Sequence, residues 1–171
     1  SGSITKAAFS YEYKGIQDCA AAKLIQGGPK GCKHGCIGFG TCVKNCPFGA
    51  MQMGEDGLPV VDLELCTGCG KCESVCPQKV IDMLPAAAPV KVDCSSKDKG
   101  ADARKVCTAA CLGCGICMRN CSHGAIKIEN NLAIVDSKIC RDVCTEATCV
   151  GKCPTKAIKL FIAAEEVKAV G

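Results

Sequence analysis

Nineteen cysteines in a chain of 171 residues, most of them three or four positions from the next, constrain this fold more than any other feature. The number is odd and the spacing is that of metal ligands, not of a disulfide framework. With no tryptophan and only 4% aromatic residues, the chain has few side chains large enough to fill an interior. Bound inorganic groups are therefore expected to serve as both cofactor and core.

The cysteines repeat. A shift of 75 residues superposes Cys19 on Cys94, Cys32 on Cys107, Cys36 on Cys111, Cys42 on Cys117 and Cys46 on Cys121. Gly49-Ala50 falls on Gly124-Ala125 at the same shift, Asp62 meets Asp136 at 74, and Cys76-Pro77 meets Cys153-Pro154 at 77. This predicts two homologous domains, 4–86 and 89–162, followed by a tail, 163–171, whose Glu165 and Glu166 read as solvated. The joint is Pro85-Ala86-Ala87-Ala88-Pro89, where the prolines resist helix and central strand. Each domain is itself double, since Cys46-Pro47 is echoed by Cys76-Pro77, and Cys121-Ser122 by Cys153-Pro154. Strand signals frame these half-repeats: Ala7-Phe9-Tyr11-Tyr13, Met51-Gln52-Met53, Leu58 to Leu63, Val90-Lys91-Val92, Ile126-Lys127-Ile128 and Leu132 to Val135. Turns are expected at Glu55-Asp56-Gly57 and Asn130-Asn131. Equal-length insertions separate Cys19 from Cys32 and Cys94 from Cys107, the first broken by Gly27-Gly28-Pro29.

Cys66-Thr67-Gly68-Cys69-Gly70-Lys71-Cys72-Glu73-Ser74-Val75-Cys76-Pro77 is the complete C-x-x-C-x-x-C-x-x-x-C-P run of bacterial ferredoxins. Three thiolates at this step suit one face of a [4Fe-4S] cube, whereas a tetrahedral zinc site has no place for the third. Cys111-Leu112-Gly113-Cys114-Gly115-Ile116-Cys117-Met118-Arg119-Asn120-Cys121 is the same run with Ser122 in place of proline. The fold class predicted is α+β, with two tandem bacterial 2[4Fe-4S] ferredoxin-like domains. Each would be a pseudo-twofold pair of short βαβ half-repeats around two clusters, with tiny helices between third and fourth cysteines.

In two-cluster ferredoxins the fourth cysteine of a run ligates the other cluster, so four crossed sets are expected. They are Cys66, Cys69, Cys72 with Cys46; Cys32, Cys36, Cys42 with Cys76; Cys111, Cys114, Cys117 with Cys153; and Cys140, Cys144, Cys149 with Cys121. Two runs are irregular. Phe39 stands where the second domain has Cys114, and the run from Cys140 to Cys153 is stretched by three residues. Cys19, Cys94 and Cys107 are left over as small buried hydrophobes. The alternative is that Cys19 or Cys107 replaces one of the sixteen. His34 and His123 read as loop residues near a cluster, because no nucleophile or carboxylate pair accompanies either. No catalytic site is expected.

Oxidised cubanes with four thiolates carry about two negative charges each, so four of them would turn the formal +4 into roughly −4. The basic excess is compensation, not a nucleic-acid footprint. Residues 91–171 hold 13 Lys/Arg against 9 Asp/Glu, and residues 1–90 hold 8 of each, so the second domain's potentials should lie higher at comparable exposure. Between Lys14 and Lys44, five lysines face one aspartate, a landing patch for an acidic redox partner. No stretch has the roughly 20 apolar residues of a membrane span, so no direct membrane contact is expected. Ser1-Gly2-Ser3 reads as a cloning remnant with natural sequence upstream.

Gln17-Asp18-Cys19-Ala20-Ala21-Ala22, then Gly27-Gly28-Pro29-Lys30-Gly31-Cys32, Gly35-Cys36-Ile37-Gly38-Phe39-Gly40-Thr41-Cys42 and Cys46-Pro47-Phe48-Gly49-Ala50 resemble the B subunits of Rnf electron-transport complexes. So does Val92-Asp93-Cys94-Ser95-Ser96-Lys97-Asp98-Lys99-Gly100 ahead of Cys107; the stretched run departs from the more regular version expected there. The resemblance implies a region that follows a membrane anchor and another iron–sulfur module, at the cytoplasmic, inner face of the cell membrane. It also implies reduced ferredoxin as donor, other membrane-complex subunits as partners, and electron flow to NAD coupled to ion translocation. Two rival readings are an electron-feeding domain of a soluble hydrogenase or disulfide reductase, and a zinc-binding structural protein.

Overall fold

The computed structural model describes residues 3–85, 88–144 and 146–160. The middle of the predicted joint and the predicted tail lie outside the described residues. Two compact units emerge, one within Gly2–Met83 and the other within Leu84–Gly171.

The first unit contains α1 (Cys19–Lys23), α2 (Thr41–Lys44), β1 (Met51–Met53), β2 (Pro59–Val61) and α3 (Lys71–Ser74). Strands β1 and β2 form an antiparallel hairpin with Met51 opposite Val61. Its loop is closed by Gly54 N–H donating to the Leu58 carbonyl at 2.8 Å. The strand expected over Ala7 to Tyr13 does not form. Only Phe9 pairs, in an isolated antiparallel bridge with Lys30, because Tyr11 and Tyr13 are used otherwise. The Tyr11 hydroxyl donates to the Ile25 carbonyl at 2.6 Å, and the Tyr13 ring lies 5.3 Å from that of Phe39. The core here is small: Cys19, Ala22 and Ile37 are buried, with Tyr13 and Phe39 packed against them.

The second unit contains β3 (Val90–Val92), α4 (Gly100–Val106), α5 (Ile116–Arg119), β4 (Ile126–Glu129), β5 (Leu132–Val135), α6 (Ser137–Val143), α7 (Thr148–Gly151) and β6 (Ile158–Leu160). Both strand pairs are antiparallel: β4 turns into β5 with Glu129 opposite Leu132, and β3 pairs with β6 with Val92 opposite Ile158. The hairpin turn is Asn130-Asn131, both at positive φ (48° and 62°), the two-residue turn whose twist matches its strands. The order β3-α4-α5-β4 and β5-α6-α7-β6 gives two strand–helix–strand halves, joined by pairing first strand with last and inner with inner. Val90, Ala125, Ile126, Ala133, Ala157 and Ile158 form one buried core with Cys111, Cys117, Cys140 and Cys149. Thiols thus take positions that large apolar side chains would otherwise fill. Among the described residues no helix is long and apolar enough to cross a membrane.

Candidate metal centres

One local device occurs four times. Helices α2, α3, α5 and α7 are single turns whose second residue is the third cysteine of a run: Cys42, Cys72, Cys117 and Cys149. Before each stands a residue in the left-handed region: Gly40, Gly70 and Gly115 at φ near 70°, and Ala147 at 43°. A side chain is disfavoured there, which explains glycine at three of the four places. After each turn comes the fourth cysteine, its N–H donating three residues back, as Cys46 does to Val43 at 3.1 Å and Cys121 to Met118 at 3.2 Å. Third and fourth cysteines so stand four residues apart across one helical turn. The paired turns α2 with α3 and α5 with α7 pack together.

The thiols gather in groups. In the second unit, burial raises the Cys117 thiol; the Met118 N–H opposes this, and Cys111, Cys153 and Cys114 add to it. Burial pushes Cys140 up to about 12, reinforced by Cys144, Cys149 and Cys121. Cys149 is pushed up to about 11 by burial and then by Cys144, Cys121 and Cys117, so the two groups adjoin. A recess is bounded by Cys111, Cys114, Cys117 and Cys153 with Ile128 and Ile158. Another is bounded by Cys121, Cys144 and Cys149 with His123.

In the first unit, burial pushes Cys42 up to about 11, helped by Cys36, Cys19 and Cys76 and opposed by the Val43 N–H. Burial also raises Cys36, which the Lys30 ammonium partly offsets before Cys19 and Cys76 add their own repulsion. Cys32 is buried. Cys19, a residue left over by motif spacing, is among the thiols that act on both Cys36 and Cys42. Cys72 is raised by burial, with Cys66 and Cys69 as its thiol neighbours.

These groups suit a cluster with thiolate ligands. The donors are all sulfur, and in the second unit they line recesses instead of meeting at a point. Backbone N–H groups are aimed at sulfur. Burial would raise Cys153, but the N–H groups of Ile158, Thr155 and Ala157 and the Thr155 hydroxyl outweigh it and hold the thiol below its ordinary value. The Cys111 N–H donates to Cys94 Sγ at 3.3 Å. Among the described residues no group of three or more His, Cys, Asp or Glu side chains could hold a single metal ion.

Of the five lysines between Lys14 and Lys44, Lys30 is buried, 5% exposed, with its ammonium near Cys36; Lys14, Lys23, Lys33 and Lys44 are exposed. Lys23 and Lys44 donate to the carbonyls of Pro77 and Gln17.

Comparison with known proteins agrees with this geometry. Residues 35–81 match a family described as a 4Fe-4S dicluster domain, and residues 65–125, which contain both regular runs, match another of the same description. The B subunit of the proton-translocating ferredoxin:NAD(+) oxidoreductase complex of Clostridium ljungdahlii is 56% identical over 98% of this chain and 58% of its own length. Its counterpart in the Na(+)-translocating complex of Acetobacterium woodii is 48% identical over 86% of this chain and 43% of its own. The counterpart in the ion-translocating oxidoreductase complex of Methanosarcina acetivorans is 45% identical over 88% of this chain and 56% of its own. The chain therefore spans about half the length of these relatives. A chain with this cysteine geometry and this likeness over most of its residues belongs with the B subunits of the ion-translocating ferredoxin:NAD(+) oxidoreductase, or Rnf, complexes.

Proposed function

We propose that the chain relays single electrons through four [4Fe-4S] clusters, taking them from reduced ferredoxin and passing them to other subunits of an Rnf complex at the inner face of the cell membrane. The observation that carries this reading is the grouping of thiols around recesses, with Cys153 beside Cys111, Cys114 and Cys117, and Cys121 beside Cys140, Cys144 and Cys149. It supports the crossed ligation and the pseudo-twofold pairing of half-repeats. By the same rule Cys66, Cys69 and Cys72 are completed by Cys46. Cys36 and Cys42 are completed by Cys76 and by either Cys32 or Cys19.

A cluster, when bound, supplies a one-electron couple. The residues of the chain set where that couple sits and how readily it is reduced. Amide N–H groups aimed at Cys153 and Cys42 favour the more negative state, as does the Lys30 ammonium near Cys36. Within the second unit, the approach of Cys149 to Cys117 puts the two sites side by side, a short path for one electron.

Iron and sulfide analysis of anaerobically purified protein tests the reading. Four cubanes require about sixteen irons and as many sulfides per chain. About eight would confine clusters to the two regular runs. Zinc without sulfide would end the relay.

A further inference from the structure

The regular motif positions of the first unit supply one thiolate too few for two clusters. Phe39 occupies the place of Cys114 in the repeat, and its ring packs on Tyr13 at 5.3 Å. Two buried cysteines, Cys32 and Cys19, stand outside the Cys36-to-Cys46 run.

The repeat discriminates between them. Cys32 corresponds to Cys107 and Cys19 to Cys94. In the second unit both are surplus, because Cys111, Cys114, Cys117 and Cys153 already form a complete set. There Cys107 fills a small apolar cluster with Ala103, Ala109 and Ala110. Cys94 instead stands at the edge of the site, its sulfur accepting the Cys111 N–H. Cys94 packs against the buried cluster that contains Cys111 and Cys117, whereas Cys107 belongs to a separate one.

Local structure brings Cys19 to the same place. Asp18 caps α1, accepting from the N–H groups of Ala20 and Ala21 at 2.8 and 3.0 Å. The Cys19 N–H donates to Thr41 Oγ1 at 2.8 Å, and that hydroxyl donates to Asp18 Oδ2 at 2.8 Å. The first residue of α1 is thereby tied to the residue preceding Cys42. Its side chain, 8% exposed, packs in one cluster with Ile37, the residue after Cys36.

We propose that Cys19, and not Cys32, completes the thiolate set of Cys36, Cys42 and Cys76. Between the two halves of the repeat, the ligand has moved from position 114 in one to position 19 in the other, leaving Cys32 outside the set, as its counterpart Cys107 is. This inference rests on the iron–sulfur reading of the site.

The test compares Cys19→Ala, Cys32→Ala and the double variant Cys19→Ala/Phe39→Cys in the whole chain, purified anaerobically. Readouts are iron, sulfide and the paramagnetic spectrum of the reduced protein. Cys19→Ala is expected to hold about twelve irons, with one reduced-cluster signal lost, and Cys32→Ala about sixteen. Loss from Cys32→Ala alone, or from neither, overturns the proposal. If both single variants lose a cluster, the double variant decides, since Phe39→Cys restores the regular run. Recovery to about sixteen supports Cys19 as ligand, and no recovery overturns it. Unsubstituted protein without iron and sulfide would instead sink the iron–sulfur reading, and the ligand exchange with it.

Discussion

The Cys66 run of the first unit and the Cys140 run of the second begin identically and end differently. The Asp62 and Asp136 N–H groups each donate to the carbonyl of the residue just before the hairpin's first strand, Ala50 before β1 and Ala125 before β4, at 2.8 and 2.7 Å. Each carboxylate then accepts two N–H groups ahead of the first cysteine, from Glu64 and Leu65 or from Lys138 and Ile139. After Asp62 the chain reaches Cys66 and turns at once through Gly68, at φ 69°. After Asp136 the added residues allow a second turn, and α6 continues to Val143 with Cys140 buried inside it. Cys66 and Cys69 are accordingly exposed, whereas Cys140 and Cys149 are buried. The stretched spacing, which reads as a defect in the motif, builds cover over the site. The motif in its regular form builds less.

The contrast can be broken most directly by chelation or controlled oxygen exposure. Iron at the Cys66, Cys69, Cys72 site should leave roughly ten times faster, or more, than iron at the Cys140, Cys144, Cys149 site, because access requires no local opening. Site-resolved Mössbauer or paramagnetic spectra during the reaction would follow both, and equal rates would show that cover is irrelevant.

A second difference is the strand pair β3–β6. The residues that correspond to β6 in the first unit, 81–83, form no strand. Ile158 is 2% exposed and Ile81 half-buried. Ile158→Ala should cost about 2–4 kcal/mol and Ile81→Ala under about 1 kcal/mol. Native-state hydrogen exchange of amides in each unit would measure the two separately, and similar costs would mean that the first unit is closed in another way.

The smallest expected effect sharpens the electrostatic side. Lys30→Met should lower the potential of the cluster beside Cys36, on the order of 50–100 mV for a charge several ångströms away at an effective dielectric near 20. Lys33→Met, on an exposed side chain, should leave it within about 20 mV because water and salt screen it. Equal shifts would return Lys30 to the surface. The higher potentials expected for the second domain assumed comparable exposure, which the structure does not provide. Burial of a dianion opposes the basic excess there, so net charge alone does not order the sites.

Much of this was legible in the sequence, for physical reasons. The hairpins follow from short apolar runs around turn residues, and the asparagine pair specifies its own turn type. The single-turn helices follow from four repeats of one spacing. The failures share a cause: the alternation of Ala7, Phe9, Tyr11 and Tyr13 says that a strand is possible but not that a partner exists. Lysine counts carry no depth, so Lys30 looked like surface. On the ligation proposed above, Cys19, kept open as an alternative ligand, lies outside every motif because its placement depends on a tertiary contact, the bond from its N–H to Thr41 across 22 residues. The available signals were Asp18 as a helix cap and Phe39 in a ligand's place, and together they pointed toward α1.

The single-turn helices have a consequence for maturation. With third and fourth cysteines on one turn and, on the crossed assignment, in different sites, each turn is shared property of two clusters. Inserting the first cluster of a unit orders half the ligands of the second, and losing one loosens the other. A half-loaded unit is then the least favoured state, so delivery of iron and sulfide proceeds in pairs, and a cell short of iron would hold units that are full or empty instead of a uniform population of partly filled ones.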